Sequence, residues 1–256
     1  MRQMKSPTPF ALALALALTL AISHGGLAAK EIAEPGWSTS AELGAITTSG
    51  NTVGTSVSGK IDARQELDDW SNHYIVSGYF KEDETTLDDG EKAKERSAER
   101  YSLSAKAAYK LMEEGEKLFV LGAHVDDKFG PYTTYSTLAV GHGAQWYKSR
   151  DKSIDVEFGP GYFTGVRPDG ESERGFTVRG AAALTWKLSQ SAVFSQTLSV
   201  ERGTSNVHSL AEASLSTKIN GTMQMKAAFS ARNDTVVPDD KKNTDTQTSL
   251  TLVYSF

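Results

Sequence analysis

The chain has 256 residues, a formal net charge of −5 and no cysteine. Without cysteine there is no disulfide framework, thiol nucleophile, thiolate metal centre or lipid-modified cysteine anchor. The acidic balance also lacks the basic footprint of a nucleic-acid binder.

The first segment reads as a targeting signal. Arg2 and Lys5 precede the apolar run "FALALALALTLAI", which gives way to the small residues of "SHGGLAAK". That basic, apolar, small-residue order is the pattern of a secretory signal peptide cut after Ala28 or Ala29. Residues 1–29 are then removed and 30–256 form one domain. The run is shorter than the roughly 20 residues a spanning helix needs, and no apolar stretch after Lys30 approaches that length. The remaining chain is either soluble or a membrane protein built from strands.

From there the dominant pattern is alternation, which sorts side chains to opposite faces of a sheet. "WSTSAELGA" puts Trp37, Thr39, Ala41, Leu43 and Ala45 on one face; "VGTSVSGKIDAR" sets Val53, Val57, Ile61 and Ala63 against Lys60, Asp62 and Arg64. In "NHYIVSGYF", Tyr74, Val76 and Phe80 share a face, although Ile75 and Tyr79 lie opposite. "RYSLSAKAAYKL" opposes Tyr101, Leu103, Tyr109 and Leu111 to Arg100, Lys106 and Lys110. "KLFVLGAHVD" offers Phe119, Leu121, Ala123 and Val125 as the apolar face, with Leu118 and Val120 blurring the other. "TLAVGHGAQW" and "IDVEFGPGY" follow with Leu138, Val140, Ala144 and Trp146, then Ile154, Val156, Phe158 and Tyr162. "FTVRGAAALTWKL" continues, and "AVFSQTLSVE", "VHSLAEASLSTKI", "TMQMKAAFSAR" and "TQTSLTLVYSF" complete the series.

This makes about twelve strands, each near or above the roughly 9–11 residues of a tilted membrane strand. With no helical crossovers they imply an antiparallel, up-and-down transmembrane β-barrel with both termini periplasmic. The links alternate. "KEDETTLDDGEKAKERS", "GVRPDGESERG" and "RNDTVVPDDKKNTD" are long and charged; "QELDDWS", "MEEGE", "YKSRDK", "LSQ" and "ING" are short, and Asn220-Gly221 predicts a two-residue hairpin. Trp37, Trp70, Trp146 and Trp186 fall on the short-turn side with Tyr109, Tyr254 and Phe256. Phe80, Tyr101, Tyr162 and Phe176 fall toward the long-loop side, so two aromatic belts are expected.

The polar face carries both signs of charge, with Glu42, Lys60, Asp62, Arg64, Arg100, Lys106, Glu157, Arg179, Glu212 and Arg232 as candidate lumen-lining residues. They fit a water-filled pore and equally an interior closed by ion pairs. About twelve strands lies between barrels filled by side chains and those that hold a channel. His73, His124 and His208 fall on the inward face. His142 falls on the outward face, where Gly141 and Gly143 suggest a bulge that turns it inward. No histidine sits in a metal-ligand spacing and no G-x-S-x-G is present, so no cofactor, metal or catalysis is expected. "TTSGNT" is a tight turn without the lysine of a phosphate-binding loop. The acidic loops lack the spacing of a calcium loop.

With "WSTSAELGAITTSGNT" opening the strands and "LVYSF" ending them, the chain resembles the YdiY-like salt-induced outer-membrane protein family, also called domain of unknown function 481. The most specific piece is the first hairpin: an aromatic start, "ELG" in mid-strand, then "TSGNT" at the turn. The resemblance implies a barrel of the Gram-negative outer membrane, with a salt or osmotic association and no established reaction or substrate. The expected partners are outer-membrane lipid, lipopolysaccharide and the outer-membrane assembly machinery. The terminal stripe Leu250, Leu252, Tyr254 and Phe256 looks like the assembly signal. A non-conducting interaction barrel, an outer-membrane enzyme and a soluble barrel for an apolar ligand are the alternatives.

Overall fold

The computed structural model describes residues 35–48, 54–86, 92–204, 206–237 and 242–256. The expected signal segment and residues 49–52 of the "TSGNT" turn lie outside them. Twelve strands follow in order: β1 (Gly36–Thr48), β2 (Gly54–Glu66), β3 (Trp70–Thr86), β4 (Lys92–Lys110), β5 (Glu116–Asp127), β6 (Thr134–Lys148), β7 (Lys152–Val166), β8 (Ser172–Lys187), β9 (Ala192–Arg202), β10 (Val207–Lys218), β11 (Met223–Asp234) and β12 (Thr244–Ser255). Each pairs antiparallel with its sequence neighbours, and β1 pairs with β12 to close the barrel. The seam runs from Ser40↔Ser255 to Leu43↔Leu252, and Thr39 and Phe256 exchange both backbone hydrogen bonds at its edge. Closure matters because hydrocarbon offers no partner to an unpaired strand edge.

The faces are inverted relative to a soluble protein. Large outward side chains are bare: Trp37, Leu43, Phe158 and Phe176 are 61–79% exposed. The buried apolar residues, Ala108, Phe119, Tyr132, Ala139, Phe163 and Val253, all belong to the interior. This is the arrangement of a barrel that spans a membrane. Both belts are built of paired rings. Trp37–Tyr74 and Trp70–Tyr109 lie on the side of the short turns, and Phe80–Tyr101 and Tyr162–Phe176 on the other.

Three expectations change. The first long charged link is largely strand. β3 and β4 run on through Glu82↔Arg96 and Glu84↔Lys94, because a sheet above the lipid can carry alternating charge on both faces. Asn220-Gly221 does not form a two-residue turn, which would need a positive φ at both central positions. Among the described glycines only Gly115 and Gly170 have one, so Gly221 does not. Instead the Ile219 amide donates to Met223, and the Asn220 side chain accepts from the Thr222 and Met223 amides.

The third change is the phase of β5. Leu118 and Val120 face outward, while Phe119 is buried inside with Leu121, Ala123 and Val125 on the same face. The cause lies on the neighbouring strands. A Cβ on Gly141 would stand 2.3 Å from the Phe158 carbonyl oxygen, and one on Gly159 only 2.0 Å from that of Val140. The backbones of β6 and β7 therefore press together, and the Phe119 ring fills the space over Gly141.

Candidate functional site: the barrel interior

Side chains of the inward face tie the wall together at three places. The first spans β10 to β3. Lys226 lies 3.4 Å from Glu42 and 3.3 Å from Glu212, Lys60 lies 3.7 Å from Glu42 and 3.4 Å from Asp62, and Asp62 holds His73 at 2.9 Å and Arg64 at 3.3 Å. Lys226 reaches Glu42 past β12 because the intervening Thr251 and Val253 are short. The second place is a chord from β4 to β7. Lys106 bonds Glu157 at 2.6 Å, Lys117 joins it at 3.3 Å, and the Lys106 ammonium stands 5.9 Å from the centre of the Phe119 ring.

The third crosses the whole lumen. Arg232 on β11 donates to Asp127 on β5 at 3.0 Å. In a ring of twelve those strands stand six apart in either direction, on opposite walls. Arg100 shares the same carboxylate at 3.8 Å. Beside them Tyr135 on β6 donates to Glu201 on β9 at 2.8 Å, and Thr137 adds a bond at 3.1 Å. Asp234 is held by His208 at 3.0 Å and Asn206 at 2.9 Å. At this level Tyr135 stacks on Phe163 and meets Tyr132 at a tilt, each pair with centroids 5.6 Å apart.

The linker between β5 and β6 covers this level. Tyr132 donates to Glu173 at 2.8 Å, and Arg167 grips the same carboxylate at 2.8 Å. Burial, reinforced by the Glu173 charge, pushes the Tyr132 phenol up to about 12, so it stays a donor through the physiological range. A cavity of about 50 Å³ remains among Arg100, Asp127, Tyr132, Tyr135, His208 and Arg232. A water needs roughly 10–15 Å³, so the space suits a few waters. Among the described residues the Nε atoms of Arg179 and Arg232 are buried without a hydrogen-bond partner.

The ten lumen-lining candidates divide. Glu42, Lys60, Asp62, Arg64 and Glu212 enter the first cluster, Lys106 and Glu157 the chord, and Arg100 and Arg232 the crossing; Arg179 joins none of these. Asp127, Tyr135, Phe163 and Asp234 escaped the sequence reading. Asp127 shares the parity of Phe119, so the inverted phase of β5 hid it. Tyr135 offered one signal, a lone large ring on a face otherwise made of Thr137, Ala139 and glycine.

Two histidines differ from expectation. His142 stays outward, opposite Leu118 and Phe158 and 3.3 Å from Glu116; the register shift falls later, between Gln145 and Tyr147. His124 also faces outward and bonds Ser136 at 2.8 Å. Among the described residues no acid orients its other ring nitrogen, the third element an activated serine needs. Nor does any group of three His, Asp or Glu side chains among them fit a metal ion. The stripe Leu250, Leu252, Tyr254 and Phe256 lies outward along β12 at the seam, with the last two rings 5.8 Å apart.

Residues 41–256 match the family model described as "Protein of unknown function, DUF481", and the chain belongs to that family. It is 28% identical over 162 residues to "Uncharacterized protein YdiY" of Escherichia coli (strain K12), a match covering 63% of this chain and 64% of YdiY. Two solved barrels share its fold. The NanC porin has a TM-score of 0.53 and 6% identity, covering 86% of this chain and 98% of its own. The COG4313 outer membrane channel from Pseudomonas putida F1 has a TM-score of 0.52 and 9% identity, covering 92% and 100%.

Proposed function

We propose that this DUF481 chain resides in the outer membrane as a barrel whose interior is held closed at rest, rather than as an open diffusion pore. The observation that carries the reading is the Arg232–Asp127 bond between opposite walls, with the Tyr132–Tyr135–Phe163 ring cluster beside it. The bare outward face, the two aromatic belts and the fold shared with outer-membrane barrels support the location. Residues 1–29 act as the signal peptide, the short turns face the periplasm, and the Leu250–Phe256 stripe is the surface met by the assembly machinery. The salt association rests on the family resemblance. It agrees with an interior held by ion pairs, of which the more exposed, at Lys60 and Glu212, are the ones salt screens.

Planar-bilayer recording of the purified barrel tests this. Wild type is expected to show rare, small openings, and R232A, which cuts the crossing, to raise open probability about tenfold. Stable wild-type conductance of porin size, unchanged in R232A, overturns it.

A further inference from the structure

The outward face of β8 and β9 carries two arginines at the loop side of the barrel. Arg174 stands two residues above Phe176 on β8, and Arg202 lies opposite Val178 at the end of β9. Phe176 is 79% exposed and packs edge-on against Tyr162 at 5.5 Å, so the two guanidiniums flank an outer-belt ring pair. Both arginines are exposed, and among the described residues neither has an ion-pair partner. The adjacent acids are committed to the interior: Glu173 to Tyr132 and Arg167, Glu201 to Tyr135 and Thr137. Their outward neighbours Thr164, Val166, Ser172, Val207 and Ser209 carry no charge, and Asp169 and Glu171 belong to the β7–β8 hairpin above.

Unpaired arginines beside a lipid-facing belt are costly unless an anion meets them there. A guanidinium binds phosphate with a planar, bidentate geometry. Arg202 lies four residues along and one strand over from Arg174, so the two Cα atoms are roughly 14 Å apart at the usual strand rise and spacing, within reach of two arginine side chains bent toward one phosphate. We propose that Arg174 and Arg202 form a binding site for the phosphate of an anionic lipid of the outer leaflet, its acyl chains lying against Phe176 and Tyr162. The site rests on the outer-membrane reading and names the lipid this wall selects.

The test titrates detergent-solubilised barrel with lipid A, dephosphorylated lipid A and phosphatidylcholine, counting bound lipid by native mass spectrometry. Wild type is expected to prefer phosphorylated lipid A by on the order of tenfold or more, since both basic residues are attracted to the anionic headgroup. R174Q/R202Q should lose that preference and R174K/R202K keep part of it, with heat-dependent gel mobility confirming that each variant is folded. Unchanged selectivity in the glutamine variant, or equal binding of dephosphorylated lipid A, overturns the site. Displacement by millimolar inorganic phosphate also overturns it, by showing a free-anion site. Failure of the wild type to insert into lipid vesicles would instead sink the outer-membrane reading and is read separately.

Discussion

The wall from β5 to β8 and the wall running from β10 through the seam to β3 fill the same interior by different physics. The first packs it: Phe119, Ala139 and Phe163 are at most 4% exposed, set against strands whose glycines let two backbones nearly touch. The second wires it with Glu42, Lys60, Asp62, His73, Glu212 and Lys226, in pairs of 2.9–3.7 Å. Packed rings lose dispersion contacts and leave a cavity when truncated. The partly exposed members of the second wall, Lys60 and Glu212, regain water when their pairs are broken, so that loss costs less. The packed wall should therefore set stability and the wired wall the electrostatics of the lumen.

Gly159→Val should have the largest effect. The added carbons have no room beside the Val140 carbonyl, and a cost above about 4–5 kcal/mol is expected, seen as loss of the heat-modifiable species on gels. Phe119→Ala should cost about 3–5 kcal/mol, read as a lowered urea midpoint in detergent. A cost under about 1 kcal/mol would mean that the packed wall is no core. Deleting Phe256 removes the backbone pair with Thr39 at the seam, about 1–3 kcal/mol for two hydrogen bonds. A larger fall in membrane-assembled barrel in cells than in detergent refolding would separate assembly from stability; equal falls would count against the assembly surface. Glu212→Gln, at the exposed end of the wired cluster, should cost only about 1 kcal/mol while shifting the ion selectivity of any residual conductance toward anions. A loss matching that of Phe119→Ala would erase the contrast between the walls.

The same contrast explains what could be read from the sequence. Along β1, β2, β4, β11 and β12 the outward side is apolar and the inward side charged or hydroxylic, so parity alone places Leu43, Ile61, Tyr101 and Leu252 outward and Lys60, Lys106 and Arg232 inward. On β5 both sides are apolar, Leu118 and Val120 toward lipid and Phe119 and Leu121 toward the packed interior. Alternation then carries no sign, and the reading inverted. His124 and Asp127 went with it, and so did the crossing bond to Arg232. His142 was misread for a related reason. Of the glycines beside it, Gly141 serves the approach of β6 and β7 and Gly143 leaves room for the Lys117 and Glu157 side chains; neither forms a bulge.

The sequence by itself determined the alternating strands, their number, the belts and the up-and-down order, because lipid on one side and water on the other impose a period of two on every strand. Tertiary structure alone decided which inward groups meet. Partners such as Arg232 and Asp127 are 105 residues apart in the chain. Only the closing of the ring, β1 on β12, sets β11 and β5 on opposite walls that their side chains can bridge.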